Sequence, residues 1–183
     1  MRALSTDELR SMRPDRATFA DLPRHPVALV LNNLTSGFNV GAAFRLADAF
    51  RLNSVHLCGT TPTPPKPRIV KTSMGTERWV PYAVHADALS AIETLREQGF
   101  RPVAVELTDA AIPLESFHPL WPMALVFGDE MVGVSPRVLA ACELSVFIPM
   151  YGMGNSMNVV TAMAISAHHV TTCYRNAARM EQA

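Results

Sequence analysis

Short apolar runs alternate along this chain with stretches whose apolar residues recur every three or four positions. Residues 27–31, 54–58, 102–106, 124–127 and 144–148 are of the first kind, which predicts strands buried on both faces. The second kind predicts a helix from Gly41 to about Phe50 and another that Asp87 caps and Gly99 stops, running to Gln98. Ser135 as a side-chain cap and Pro136 at the first helical position open a further helix. A last one runs from about Asn158 to Arg175. Continuous apolar strands separated by helices point to an α/β fold, a parallel sheet flanked by helices. Residues 60–67 carry Pro62, Pro64, Pro65 and Pro67, too many for the interior of either element, and read as a loop. No repeat or linker divides the chain. Residues 1–25 are polar and predict a short N-terminal arm; residues 26–183 predict a single domain.

Composition refines this picture. At 183 residues and 49% hydrophobic content, one domain can bury a real core. Charged residues make up only 17%, so the surface keeps apolar area that a second copy could cover. No apolar run is long enough to span a bilayer, and the first residues lack a signal-peptide core, which predicts a cytoplasmic protein. Cys58, Cys142 and Cys173 are odd in number and widely spaced, as expected of separate thiols rather than a disulfide or a zinc site. His168 and His169 are adjacent in a predicted helix and diverge, so no metal site is expected.

The net charge is zero but unevenly spread. Up to Arg78 there are eleven basic and six acidic residues; beyond it there are five and ten. Fourteen of the sixteen bases are arginine, the side chain best shaped for phosphate. The positive half contains the first of three segments that leave the carboxyl ends of predicted strands and carry polar and small residues instead of core ones. These are Asn39-Val40-Gly41-Ala42-Ala43-Phe44-Arg45, Phe127-Gly128-Asp129-Glu130, and the stretch from Ile148 to Asn158. In a parallel sheet such loops bind ligands, so the three are expected to converge on one site.

Together the segments resemble the motifs of the SpoU (TrmH-like) branch of the SPOUT RNA methyltransferases, in that family's order and spacing. The resemblance runs from about Pro26 to Arg175 and extends to Lys71-Thr72-Ser73-Met74-Gly75-Thr76-Glu77. Met157 departs from it, standing where leucine is usual, a nearly volume-conserving change. The resemblance implies an α/β knot with a C-terminal trefoil, a homodimer with shared active sites, and S-adenosylmethionine as cofactor. It also implies methyl transfer to a ribose 2′-hydroxyl of tRNA or rRNA. Gly128, Ile148, Met150, Gly152 and Met157 are then the candidates to hold the cofactor. Arg45 is the candidate catalytic residue, with Asn39, Glu130, Ser156 and Asn158 orienting it, the ribose or the third loop. Glu130 is expected to pair with an arginine.

A guanidinium is a poor literal base, because it stays protonated; a phosphate clamp that also stabilises the developing alkoxide is the better reading of Arg45. Arg45, Lys66, Arg68, Lys71 and Arg78 are the candidate RNA contacts, gripping the backbone without reading sequence. Tyr151 is the candidate to stack on a base; at 7% aromatic content, no other stacking platform is expected. Two rival classes remain open to the sequence. A non-catalytic RNA-binding protein would keep the fold without needing the cofactor. A nucleotide-dependent metabolic enzyme would need a glycine-rich phosphate loop, and none follows any strand.

Overall fold

The computed structural model describes residues 1–12, 19 and 22–180. Seven parallel strands form one sheet: β1 (His25–Asn32), β2 (Leu52–Cys58), β3 (Tyr82–His85), β4 (Arg101–Val105), β5 (Ile112–Pro113), β6 (Met123–Phe127) and β7 (Leu144–Phe147), in the order β3-β2-β1-β6-β4-β7-β5. The helices are α1 (Thr6–Ser11), α2 (Gly37–Ala49), α3 (Pro67–Ser73), α4 (Ala88–Glu97), α5 (Pro136–Leu139) and α6 (Val159–Met180). The predicted arm carries α1, whose start is closed by a capping box between Ser5 and Glu8. Residues 13–18, 20 and 21 of that arm, and 181–183 of the predicted domain, lie outside the described residues.

Alternation along the strands sorts the core onto two faces. Val27, Leu29 and Leu31 of β1 point to one side with Leu125 and Phe127 of β6, under Val40, Ala43, Phe44 and Ala47 of α2 and Met163, Ala167 and Val170 of α6. Ala28 and Val30 point to the other, with Ala104, Ala124 and Val126, under Ala91, Ile92 and Leu95 of α4 and Val138 of α5. Alanine supplies Ala28, Ala104 and Ala124 of this sheet face and Ala88 and Ala91 of α4. Burial on both faces is why β1 and β6 read as continuous apolar runs.

Several expectations shift in detail. Asp87 caps α4 by accepting from Ser90 N–H at 2.8 Å, and Gly99, at φ +83°, follows its end. Ser135 occupies the cap position of α5 but makes no side-chain cap bond, and that helix is only four residues long; Pro136 at its first position opens it. α6 runs five residues past the predicted end, to Met180. Two strands and one helix went unread. β3 is a four-residue edge strand with no buried residue, and β5 is two residues long, so neither shows an apolar run. α3 begins at Pro67, where the prolines of the preceding loop conceal a helix start. Among the described residues no helix is long and apolar enough to cross a membrane. The three cysteines are free.

One buried polar group lies at the β2–β3 edge. His56 Nδ1 sits 2.9 Å from His85 Nε2, and the Ser54 hydroxyl lies 3.0 Å from His56 Nε2. Burial, helped by the neighbouring His85, pushes His56 down from 6.5 to about 4. A histidine held below its unfolded value contributes stability that is complete above 6.5 and drains as pH falls toward the folded value. Acidification from about pH 6.5 to 5 is therefore expected to remove on the order of 2 kcal/mol of unfolding free energy. Denaturant titrations at several pH values check this; His56→Gln should flatten that window, and an equally steep profile in the variant would contradict the assignment.

Candidate active site

The first and second motifs meet through one carboxylate. Glu130, just past β6, accepts hydrogen bonds from Thr35 N–H at 2.9 Å, Thr35 Oγ1 at 3.1 Å, Ser36 N–H at 3.3 Å and Asn39 Nδ2 at 2.9 Å. These donors lie before and within the first turn of α2. Burial works against ionising this carboxyl, but the donors from Thr35, Asn39 and Ser36 outweigh it and hold Glu130 below the usual carboxylate range. Its partners are thus amide and hydroxyl groups, in place of the expected arginine. Glu130 fixes the loop that positions Asn39 and starts α2.

The turn carrying Glu130 is itself closed. Asp129 Oδ1 accepts from Met131 N–H at 2.7 Å and Val132 N–H at 3.0 Å, and Gly133 N–H donates to Asp129 O at 2.9 Å. Glu106, just beyond β4, accepts from Val134 N–H at 2.9 Å and Leu107 N–H at 3.0 Å. Thr108 and Ser145 share a hydroxyl contact of 2.7 Å. Through these bonds the ends of β6, β4 and β7 are tied side by side. Sequence reading missed Glu106 and Thr35; a carboxylate just after a strand is the same signal that singled out Glu130.

Arg45 lies exposed on α2 and forms no ion pair with another described residue. It is free to meet an anion from solution. The third motif is less tightly joined. Asn158 Oδ1 accepts from Val160 N–H at 2.8 Å, a cap on α6, while Ser156 is exposed. Among the described residues no hydrogen bond links either to Asn39, Arg45 or Glu130. Because β4 intervenes between β6 and β7, the second and third motifs stand two strand spacings apart, roughly 10 Å.

The candidate cofactor residues divide by environment. Gly128 is buried under its own turn. Ile148 and Met157 are half-buried, whereas Met150 is exposed and Gly152 has open space around it. Half-buried apolar side chains beside open main chain are a donor set that suits a purine ring and its edge, so these residues fit S-adenosylmethionine. A cleft of about 330 Å³ also opens beside Ile148 and Pro149, against Ile165, His168 and Thr172 of α6, but it takes in none of the other four candidates. Among the described residues no His, Cys, Asp or Glu group is clustered to hold a metal.

Of the candidate RNA contacts, Lys66, Arg68, Lys71 and Arg78 are all exposed on or beside α3. Arg78 lies 3.7 Å from Glu77, whose carboxylate also accepts from the Ser73 hydroxyl. α3 seats against α2 where glycines leave room: a Cβ added at Gly41 would stand 2.6 Å from Ile69 O, and one at Gly37 would stand 3.2 Å from Arg68 Cβ. The basic residues are therefore held along the helix that carries Asn39 and Arg45. Tyr151 is 92% exposed in the third loop and stacks on no other described ring.

Sheet order, motif order and this arrangement define a class, and residues 26–168 match the model of the SpoU rRNA methylase family; the chain belongs to it. It is 34% identical to a tRNA (guanosine(18)-2′-O)-methyltransferase of Thermus thermophilus over 76% of this chain and 71% of that one. The solved structure of a TrmH-family protein from Porphyromonas gingivalis matches with a TM-score of 0.70 and 29% identity, over 78% of this chain and 58% of that one. An AdoMet-bound rRNA methyltransferase from Sinorhizobium meliloti shares the fold at a TM-score of 0.75 and 22% identity, over 86% and 60%. The chain thus spans less than two thirds of both solved proteins.

Proposed function

We propose that this chain transfers a methyl group from S-adenosylmethionine to a ribose 2′-hydroxyl of tRNA or rRNA, acting as a cytoplasmic homodimer. The observation that carries the reading is the four-donor tie between Glu130 and the start of α2, from Thr35 to Asn39, which joins two of the family's motifs into one site. Names of relatives as tRNA and rRNA methyltransferases support the substrate class, and the fold shared with an AdoMet-bound protein supports the cofactor. The α/β knot is part of the same proposal, supported by family membership.

S-adenosylmethionine supplies a methyl already activated by its positive sulfur. What remains for the chain is to hold donor and hydroxyl in line and to stabilise the alkoxide as it forms. Ile148, Met150, Gly152 and Met157 hold the cofactor, and Gly128 shapes the turn beside it. Arg45 clamps a phosphate and places its charge beside the 2′-oxygen, whose proton passes to water at the exposed face of α2. Asn39 is set by Glu130 to orient the ribose, and Ser156 and Asn158 order the third loop over it. Lys66, Arg68, Lys71 and Arg78 hold the RNA strand that flanks this ribose. Exposed Met150, Tyr151, Met153 and Ile165 supply apolar area for the second copy.

Calorimetric titration with S-adenosylmethionine, followed by mapping of ribose methylation in RNA from cells with and without the gene, tests this. One cofactor per chain and one or a few lost methylations are expected, with light scattering at the dimer mass. RNA binding without cofactor binding or transfer would instead support the non-catalytic alternative.

A further inference from the structure

The one exposed aromatic ring of α2, the helix that carries Asn39 and Arg45, has an arginine over it. Phe38 is 47% exposed, and the Arg68 guanidinium carbon lies 5.8 Å from its ring centroid. The pair exists because Gly37 lets α3 approach until a Cβ there would nearly touch Arg68 Cβ. Beside it opens a cleft of about 400 Å³ lined by Thr35, Gly37, Pro62, Lys66, Pro67 and Arg68. Neither Lys66 nor Arg68 is paired with a carboxylate among the described residues. Phe38 and Arg45 are seven residues apart in one helix, so both project from the same face, roughly 10 Å apart along the axis. Thr35, in the cleft wall, is also a donor to Glu130, which sets the cleft beside the tie that joins the first two motifs.

We propose that Phe38 and Arg68 form a stacking platform for an unpaired nucleobase next to the methylated ribose, with Lys66 holding that nucleotide's phosphate. The inference rests on the RNA methyltransferase reading. An unstacked base offers a π-face to a phenyl ring or a guanidinium plane, and every base offers one, so the platform selects single-stranded or splayed nucleotides rather than a sequence. Lys66 adds a point charge for the phosphate. Phe38 and Arg68 are positioning residues: they place the ribose before Arg45 without touching the reacting atoms. The occupant is an RNA nucleotide, since an exposed ring beside an opening walled by two cations, neither paired with a carboxylate among the described residues, matches a base and a phosphate together.

The test measures transfer of tritiated methyl from S-adenosylmethionine to total RNA from cells lacking the gene, with KM for RNA followed across potassium chloride concentrations. Phe38→Leu is expected to raise KM about tenfold with kcat within threefold and an unchanged salt slope. Phe38→Trp should stay within twofold of wild type. Arg68→Gln should raise KM and also lower the salt slope by about one. Thermal melts confirm that each variant is folded. A Phe38→Leu enzyme within twofold of an active wild type would overturn the platform and leave the methyltransferase reading intact. So would equal losses in Phe38→Leu and Phe38→Trp. A wild type that methylates no ribose would overturn both.

Discussion

Replacing Arg45 with alanine is expected to lower methyl transfer by at least about two to three orders of magnitude while cofactor affinity stays within a few-fold. Removing one preorganised charge from a developing oxyanion costs on the order of 3 kcal/mol, which is a factor of this size. The structure makes the comparison clean. Arg45 is exposed on α2 and has no ion pair with another described residue, so its loss breaks no ion pair among the described residues. Stability is expected to move by no more than about 0.5 kcal/mol. Single-turnover transfer at saturating RNA reads the chemical step, and calorimetry reads the cofactor. Turnover equal to wild type would remove Arg45 from the mechanism. A collapse of cofactor affinity in proportion to the rate would move it into the cofactor site instead. Arg45→Lys keeps the charge without the two-pronged guanidinium, so an intermediate rate is expected.

How much of this was legible beforehand depends on how each residue does its work. Val27, Leu29 and Leu31 announce β1 because both faces of the sheet are covered, and an unbroken apolar run is the local trace of that burial. Tyr82–His85 leaves no such trace, being an edge strand with no buried residue, and neither does a two-residue strand at Ile112–Pro113. The site divides in the same way. Asn39, Arg45 and Glu130 stand out as polar groups in the segments that follow predicted strands, where a core would not want them. Their partnership does not, because Glu130 is ninety-one residues from Asn39 and its chemistry suits an arginine equally well. Only the fold decides that Thr35, Ser36 and Asn39 reach it first. Phe38 is hidden for the opposite reason. In the sequence it is one apolar residue in a helix, indistinguishable from Phe44, yet Phe44 is fully buried and Phe38 faces Arg68 in the open.

Gly128 and Gly152 look alike in sequence, two glycines in two motif loops, but substituting them is expected to have opposite consequences. A Cβ built at Gly128 would lie 2.0 Å from Gly133 C, 2.1 Å from Gly133 O and 2.3 Å from Val134 N. All three are backbone atoms. They cannot rotate aside, and the turn that brings them there is fastened by Asp129 from within and by Glu106 from just beyond β4. Gly128→Ala must therefore open that turn, cut the Glu106–Val134 bond, and pull Glu130 away from Thr35 and Asn39. Overpacking of this kind costs about 3 kcal/mol or more, which for a chain of this length lowers Tm by roughly 6–12 °C. Transfer activity should fall with it, since the first motif loses its anchor. Gly152 has nothing within 4 Å of its Cβ position, so Gly152→Ala should leave Tm unchanged within a degree or two. Any effect there should appear in cofactor affinity alone. Melting curves and cofactor titrations on the two variants side by side decide the matter. A Gly128→Ala protein as stable as wild type would show that the turn is not held as closed as its hydrogen bonds indicate, and the tie between the first two motifs would lose its structural basis.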